Sequence, residues 1–188
     1  KAKEIEDKTE RKAVLQRSIH YAKRSIEIYP KYRDAHYNLG TAYGLLDMNA
    51  DAIQLLLKTV EMDSTYSNGH YNLGVIYIRT KEYDKSVKHL KIAAKYDANN
   101  LQIYYNLAEA YRNSGQYEGS INAYNQCLRI NPRDELALTN SARLNVENGN
   151  IDEGIKYLKQ LLQFNPRNVD GWFNLGVIYQ QKGDMQNA

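Results

Sequence analysis

The sequence predicts an all-α fold, a solenoid of stacked helix pairs, and three observations lead to this prediction. The first is the tripeptide Asn-Leu-Gly, which occurs at 38–40, 72–74 and 174–176. The first two copies begin 34 residues apart, and the third begins three such periods after the second. Related tripeptides occupy the two intervening registers, at 106–108 and 140–142. A period of about 34 residues is typical of helix–turn–helix repeats, which stack into one continuous array.

The second observation is a stripe of side chains that recurs in the repeats. Counted from the first residue of a repeat, positions four, seven, eight and eleven hold residues such as His36, Leu39, Gly40 and Tyr43. This i, i+3, i+4, i+7 spacing places them on one buried face of a first helix, helix A. Another apolar stripe follows in each repeat and predicts a second helix, helix B.

The third observation is a turn signal between the two helices. Gly115, Gly149 and Gly183 recur with the same period, and glycine suits a helix C-terminus that needs the left-handed conformation. Two earlier repeats hold Asp47 and Lys81 in this register, and Asp tolerates that conformation better than Lys. Position eight alternates between Gly and Ala, which indicates a need for a small side chain rather than for a positive φ.

On this period the chain divides into repeats of one continuous solenoid. The predicted boundaries are 1–32 for an N-terminal helical segment (the second helix of an earlier repeat), 33–66, 67–100, 101–134, 135–168 and a partial repeat at 169–188. Repeat 135–168 is degenerate, because Ser141 and Asn145 replace the core leucine and tyrosine of the other repeats. We therefore expect it to be the loosest of the repeats.

The pattern [Trp/Tyr/His]-x-x-Leu-Gly-x-x-Tyr, followed by small, apolar, small and Pro positions, resembles the tetratricopeptide repeat. The resemblance extends from about residue 13 to residue 188. It implies a right-handed α-solenoid of antiparallel helix pairs, with a concave groove lined by the A helices. It also implies a protein–protein interaction scaffold or adaptor that binds an extended peptide or a partner helix in the groove. The alternative is a substrate-recruiting arm of a larger enzyme such as a glycosyltransferase, with its catalytic domain outside these residues.

Position six of each repeat is a candidate for ligand binding, because it holds asparagine in every copy. These residues are Asn38, Asn72, Asn106, Asn140 and Asn174. An asparagine amide both donates and accepts hydrogen bonds, so a row of amides can hold an extended peptide backbone. The row is similar to the asparagine ladder in the repeat superhelix of O-linked N-acetylglucosamine transferase. The alternative is that each asparagine bonds locally between repeats.

Other predicted groove residues lie beside the asparagines. Position five is aromatic in four copies, and positions nine to thirteen of the later repeats carry charged or polar side chains. The predicted residues are Tyr37, Tyr71, Tyr105, Phe173, Glu109, Arg112, Asn113 and Arg143. The alternative for the aromatic residues is packing between repeats. The carboxylate clamp of the chaperone-binding members is absent, because no copy has lysine at position five.

The C-terminal partial repeat carries an apolar stripe whose partner helix is not present in full. The stripe comprises Trp172, Leu175, Ile178 and Tyr179. Because the ends of a solenoid need a capping element, we expect a self-association contact here and hence a homo-oligomer.

Other classes of function lack support in the sequence. No catalytic constellation or metal-ligand cluster is present, so we expect neither an enzyme nor a bound metal or cofactor. The net charge of +3 gives no reason to expect a nucleic-acid partner, and no apolar run is long enough to span a membrane. We expect a protein or peptide ligand and a cytoplasmic location, although a sequence that begins at Lys1 leaves a removed signal open.

Overall fold

A computed structural model describes residues 2–183, with side chains described at position 10 and from position 12 onward. The chain separates into two compact units, Lys1–Ala98 and Asn99–Ala188. Between residues 2 and 183 the structure contains ten α-helices and no β-strand. The predicted all-α class is therefore confirmed.

Unit 1 contains a long first helix followed by two helix pairs. The helices are α1 (Ala2–Ile28), α2 (Arg33–Leu45), α3 (Asn49–Met62), α4 (Ser67–Arg79) and α5 (Tyr83–Tyr96). Helices α2 and α4 are A helices, and each packs mainly against the B helix that follows it. A core cluster of this unit comprises Ala52, Leu56, Leu73, Ile76 and Tyr77.

Unit 2 has two helix pairs and a further A helix. The helices are α6 (Leu101–Asn113), α7 (Tyr117–Ile130), α8 (Glu135–Glu147), α9 (Ile151–Phe164) and α10 (Val169–Gln181). A cluster of apolar side chains from α8, α9 and α10 includes Leu138, Leu158, Leu161 and Leu175. Helix α9 is thus covered on both sides by A helices.

The turns between A and B helices adopt the predicted left-handed conformation. The φ angles are +59° at Asp47, +62° at Lys81, +77° at Gly115, +82° at Gly149 and +75° at Gly183. The backbone therefore keeps the same turn in every repeat, whether or not the residue is glycine. Of the two non-glycine residues, the lysine side chain is the less suited to this conformation.

Close approach of helices A and B explains the small residue at position eight. A Cβ atom added to Gly74 would lie 2.4 Å from Cγ of Leu90, well inside van der Waals contact. The buried Ser86 hydroxyl donates to the Gly74 carbonyl oxygen at 2.8 Å, and Ser120 donates to that of Ala108 at the same distance. Serine on helix B thus joins the two helices where their backbones are nearest.

A pair of neutral histidines, one buried and one half-buried, joins helices A and B of the second repeat. The Nε2 atom of His70 lies 3.2 Å from the carbonyl oxygen of Ser64, so Nε2 carries the proton. The Nδ1 atom of His70 therefore accepts a hydrogen bond from Nδ1 of His89, at 3.0 Å, and the two rings stack. Burial lowers the pKa of both side chains, to about 4 for His89.

The preceding repeat contains only half of this arrangement. His36 occupies the register of His70, and its Nε2 atom lies 2.8 Å from the carbonyl oxygen of Pro30. Leu55 stands in the register of His89. As a result, the buried Nδ1 atom of His36 has no hydrogen-bond partner among the described residues.

The C-terminal stripe is partly covered by the preceding helix B. Leu175, Ile178 and Tyr179 are buried in the cluster that α9 and α10 share. The helix B of their own repeat, whose absence in full motivated the prediction, would lie outside the described residues. Trp172 is 56% exposed, and its indole N–H donates to the carbonyl oxygen of Pro166 at 2.9 Å. Self-association stays a prediction, and among these four residues only Trp172 offers a large exposed surface for it.

Among the described helices, none is both long enough and apolar enough to cross a membrane.

Candidate functional site

The asparagines at position six use part of their hydrogen-bonding capacity within their own unit. Asn72 donates from Nδ2 to the Thr41 hydroxyl of the preceding repeat, at 2.9 Å. Asn106 and Asn140 donate to carbonyl oxygens one helical turn earlier, at 2.7 and 2.9 Å. Only the Asn72 bond joins two repeats, which is the kind of bond that the local alternative predicts, whereas Asn106 and Asn140 bond within their own helices. A side-chain amide carries two N–H groups, so one such bond does not use its full capacity.

The two remaining asparagines differ from these three in exposure. Asn38 is exposed on α2, and Asn174 is half-buried on α10. Asn174 lines a small pocket between α8 and α10, which is described below. The five asparagines are therefore not equivalent, although their sequence registers are identical.

Two of the tyrosines at position five contact the last residue of their own repeat, which is the N-cap of the next A helix. The Tyr37 ring packs edge-on against Tyr66, with 5.2 Å between the ring centroids. The Tyr105 hydroxyl donates to the Asp134 carboxylate, which also accepts the Ala137 backbone N–H as the N-cap of α8. Burial, together with this bond, raises the pKa of Tyr105. Both contacts lie at the junction with the next A helix, so they occupy part of the surface of each tyrosine.

The other two aromatic residues at position five are placed differently. Tyr71 is half-buried, whereas Phe173 is 69% exposed on α10. Phe173 thus presents the largest uncovered aromatic surface of the predicted groove residues.

The structure brings six predicted groove residues together around one pocket of unit 2. This pocket, which we call the Arg112 pocket, lies between α6, α7 and α8 and has a volume of about 380 Å³. The six residues are Tyr105, Asn106, Glu109, Arg112, Asn140 and Arg143. The pocket is open to solvent and carries polar and apolar side chains in comparable amounts.

Sequence reasoning missed three residues of the Arg112 pocket, and of the groove residues that it predicted on α6, Asn113 lies outside the pocket. Gln102, Tyr124 and Leu136 also line it. Gln102 and Leu136 occupy position two of their repeats, on the same helical face as positions five and nine, and this register could have identified them. Tyr124 comes from a B helix, and no A-helix pattern would have found it.

Two arginines dominate the charge in the Arg112 pocket. Arg143 is held in place by Glu147, at 2.8 Å, and by the side-chain oxygen of Asn140, at 3.1 Å. Arg112 and Glu109 take part in no ion pair among the described residues. The guanidinium of Arg112 is therefore available to an external anion.

Burial is the main cause of a raised pKa at Tyr124, which lies in the same pocket. The positive charges of Arg143 and Arg112 act in the opposite direction and lower this pKa, and the negative charge of Glu109 contributes a small increase. All three charged side chains thus lie near enough to influence the tyrosine hydroxyl.

A second pocket lies between α8 and α10 and shares Arg143 with the first. It has a volume of about 180 Å³ and is mainly apolar, and we call it the Val146 pocket. Its apolar lining comprises Ala142, Val146, Leu158, Val177 and Ile178. The sequence predicted a loosely packed repeat in this region but did not predict an apolar pocket.

The corresponding face of unit 1 offers less space. A pocket of about 80 Å³ lies between α2 and α4 and includes Thr41, Leu45 and Asn72 in its lining. The Arg79 side chain also lines it and donates to the Gly44 carbonyl oxygen at 2.6 Å. The charge of Arg79 is paired with Asp47 at 2.9 Å, so it is already used within the unit.

Helix pairs that recur at a constant period, with pockets between their first helices, define a helical-repeat protein that acts as an interaction scaffold. The sequence profile of the tetratricopeptide repeat matches residues 67–100 and 101–134, and a second profile, described as TPR repeat, matches 142–183. Together these matches account for more than half of the chain. The chain belongs to the tetratricopeptide-repeat family.

Solved structures with the same fold include two named proteins. MamA is 25% identical, with a TM-score of 0.76, and the match covers 87% of this chain and 96% of that protein. YrrB, a TPR protein with an unusual peptide-binding site, is 18% identical, with a TM-score of 0.75 and coverage of 88% and 86%. Residues 41 to the end of MamA from Desulfovibrio magneticus RS-1 are 16% identical, with a TM-score of 0.73 and coverage of 89% and 94%. A comparison with curated protein sequences gave no match.

Proposed function

We propose that the A-helix face of unit 2 binds an extended peptide segment of a partner protein, with the Arg112 pocket at its centre. The observation that carries this proposal is the convergence of six predicted groove residues on one pocket of about 380 Å³. That volume lies within the range of pockets that bind small ligands or side chains. The fold neighbour YrrB has a peptide-binding site, which agrees with this class of ligand.

The polar groups of the pocket suit a peptide backbone. Asn106 and Asn140 each donate one N–H to their own helix, which holds the amide in place. The amide of Asn140 carries a second N–H that can donate to a ligand. Preorganised donors of this kind bind with a smaller entropic cost than mobile side chains. Leu136, which is 59% exposed, supplies an apolar surface beside them.

Selection from a random peptide library, displayed on phage and captured on the full chain, tests this proposal. We expect Asn106→Arg, which fills the pocket, to weaken the selected peptides at least tenfold in fluorescence polarisation. Asn122→Arg is the matched control, because Asn122 is exposed on α7 and does not line the pocket. The proposal fails if no peptide is enriched, or if both variants bind the selected peptides as the wild type does.

The alternative, a recruiting arm of a larger enzyme, concerns residues outside this sequence and stays a prediction.

A further inference from the structure

The Arg112 pocket and the Val146 pocket lie on either side of α8 and differ in chemistry. Arg143 belongs to both, so the pockets are adjacent. The Arg112 pocket contains two guanidinium groups and the carboxylate of Glu109. The lining of the Val146 pocket is predominantly apolar. A single ligand that occupied both pockets would therefore need two unlike groups.

The charge of the Arg112 pocket favours a carboxylate. Because Arg143 is paired with Glu147 whereas Arg112 has no ion pair among the described residues, the unpaired charges are those of Arg112 and Glu109. A carboxylate can take a bidentate hydrogen bond from the Arg112 guanidinium. Its single charge also meets less repulsion from Glu109 than the double charge of a phosphate would.

The Val146 pocket has room for an aliphatic side chain. An apolar cavity of roughly 150 Å³ in another protein is large enough for benzene, and this pocket measures about 180 Å³. Val146, Val177 and Ile178 supply the apolar part of the lining, and the charged residues beside it, Arg143 and Glu147, are already paired with each other. The pocket therefore favours a branched aliphatic group such as that of leucine.

The geometry of the repeats sets the distance between the two groups. The pockets are separated by one helix, and neighbouring helix axes lie roughly 8–10 Å apart. In the polyproline II conformation, residues i and i+3 share one face and lie about 9 Å apart. An extended peptide would thus reach both pockets with side chains three positions apart.

We infer that the A-helix face of unit 2 recognises a protein segment with an internal acidic residue and a branched aliphatic residue three positions away. The acidic side chain binds at Arg112, and the aliphatic side chain fills the Val146 pocket. This inference rests on the proposed function, because it names the class of peptide that the same face binds.

The test uses the peptides selected from the random library on the full chain. We expect the enriched sequences to share an acidic residue and a Leu, Ile or Val at a spacing of three. In synthetic, fluorescein-labelled copies, Glu→Gln or Asp→Asn should weaken binding to the wild type at least tenfold, as expected for a charged hydrogen bond. The same peptide change should alter binding to Arg112→Gln less than twofold, because the partner of the carboxylate is gone.

Matched variants distinguish the two pockets from general effects of charge and apolar surface. Arg129→Gln removes an exposed arginine of α7 outside the pocket, and we expect it to behave as the wild type. Val177→Ser should remove the preference for an aliphatic residue, whereas Val169→Ser, at a position that is 78% exposed and outside the pocket, should not. Circular dichroism of each variant checks that it is folded.

Three results would overturn the inference, and they separate it from the proposed function. If the selected peptides bind more weakly to Asn106→Arg but share no acidic residue, the inference is refuted and the proposed function stands. Peptides whose binding depends on a free C-terminal carboxylate, and is lost on amidation, would refute recognition of an internal acidic residue. The absence of any enriched peptide would refute both proposals.

Discussion

Acidification should destabilise unit 1 through the hydrogen-bonded pair of His70, which is buried, and His89, which is half-buried. Both pKa values are lowered by burial, and that of His89 falls from 6.5 to about 4. In the unfolded chain both rings take up protons near pH 6.5, whereas the folded pair resists protonation. The free energy of unfolding is therefore highest above pH 6.5 and decreases as the pH falls towards 4.

The size of this effect follows from the His89 pKa. One pH unit corresponds to about 1.4 kcal/mol, so His89 alone should lower the stability by roughly 2 kcal/mol between pH 7.5 and pH 5. The charges of His70 and Lys88 also lower the pKa of His89, so they add to the free-energy cost of protonating it. The negative charge of Asp63 raises the pKa of His70 and so opposes the effect of burial on that side chain.

His89→Leu provides the comparison, because it reproduces the arrangement that Leu55 has with His36 in the preceding repeat. Urea unfolding, followed by circular dichroism at pH 7.5 and pH 5, gives the free energy for both proteins. The wild type should lose roughly 2 kcal/mol more than the variant over this interval. Protonation of carboxylates such as Asp63 affects both proteins alike and cancels in the comparison.

An equal loss of stability in the two proteins would refute this reasoning. It would show that the folded state accommodates a charged His89, and that burial of the pair does not control its protonation.

Three further substitutions test the packing of individual repeats by thermal or urea unfolding. Lys81→Gly should stabilise the chain by about 0.5–1 kcal/mol, because glycine removes the energetic cost of a positive φ at this position. Part of that gain is lost because glycine increases the conformational entropy of the unfolded chain. A less stable variant would contradict this prediction. Gly74→Ala should destabilise the chain by about 1–3 kcal/mol, because the new methyl group would lie 2.4 Å from Leu90. Gly176→Ala is its control, since no described atom other than its chain neighbours and the backbone of its own helix lies within 4 Å of that methyl position. Equal effects at the two sites would refute the steric argument. Ser141→Ala should stabilise the chain by about 1 kcal/mol, because the buried hydroxyl has no hydrogen-bond partner among the described residues; a loss of stability would indicate that the hydroxyl is satisfied in solution.

The sequence alone predicted the fold class and much of the backbone detail. The all-α class and the family follow from the constant repeat period, and both are confirmed. The left-handed turn at Lys81 could also be predicted, because its register is glycine in later repeats and the structure gives it a φ of +62°. The small residue at Gly74 was recognised as a limit on volume, and the contact with Leu90 explains it. These features depend on local conformation and on packing between neighbouring helices, which a periodic sequence records directly.

The partners of polar side chains were decided only by the tertiary structure. Asn72 and Asn106 share one register, yet one donates to a hydroxyl of the preceding repeat and the other to its own helix. The sequence placed His70 in a packing position, but only the folded chain shows that His89 bonds to it. Hydrogen bonds depend on distances of a few tenths of an ångström, which repeat periodicity does not specify.

The candidate site shows the same division between sequence and structure. The repeat register placed Arg112 and Arg143 on the exposed face of their helices. It did not show that Arg143 is paired with Glu147, whereas Arg112 has no ion pair among the described residues. The Val146 pocket was likewise not predicted, because a cavity results from the combined volumes of side chains on three helices. The sequence by itself determined the repeating backbone and the helix face on which the predicted groove residues lie. The tertiary structure decided which of those residues remain available to a ligand, because their availability depends on the neighbours that folding brings into contact.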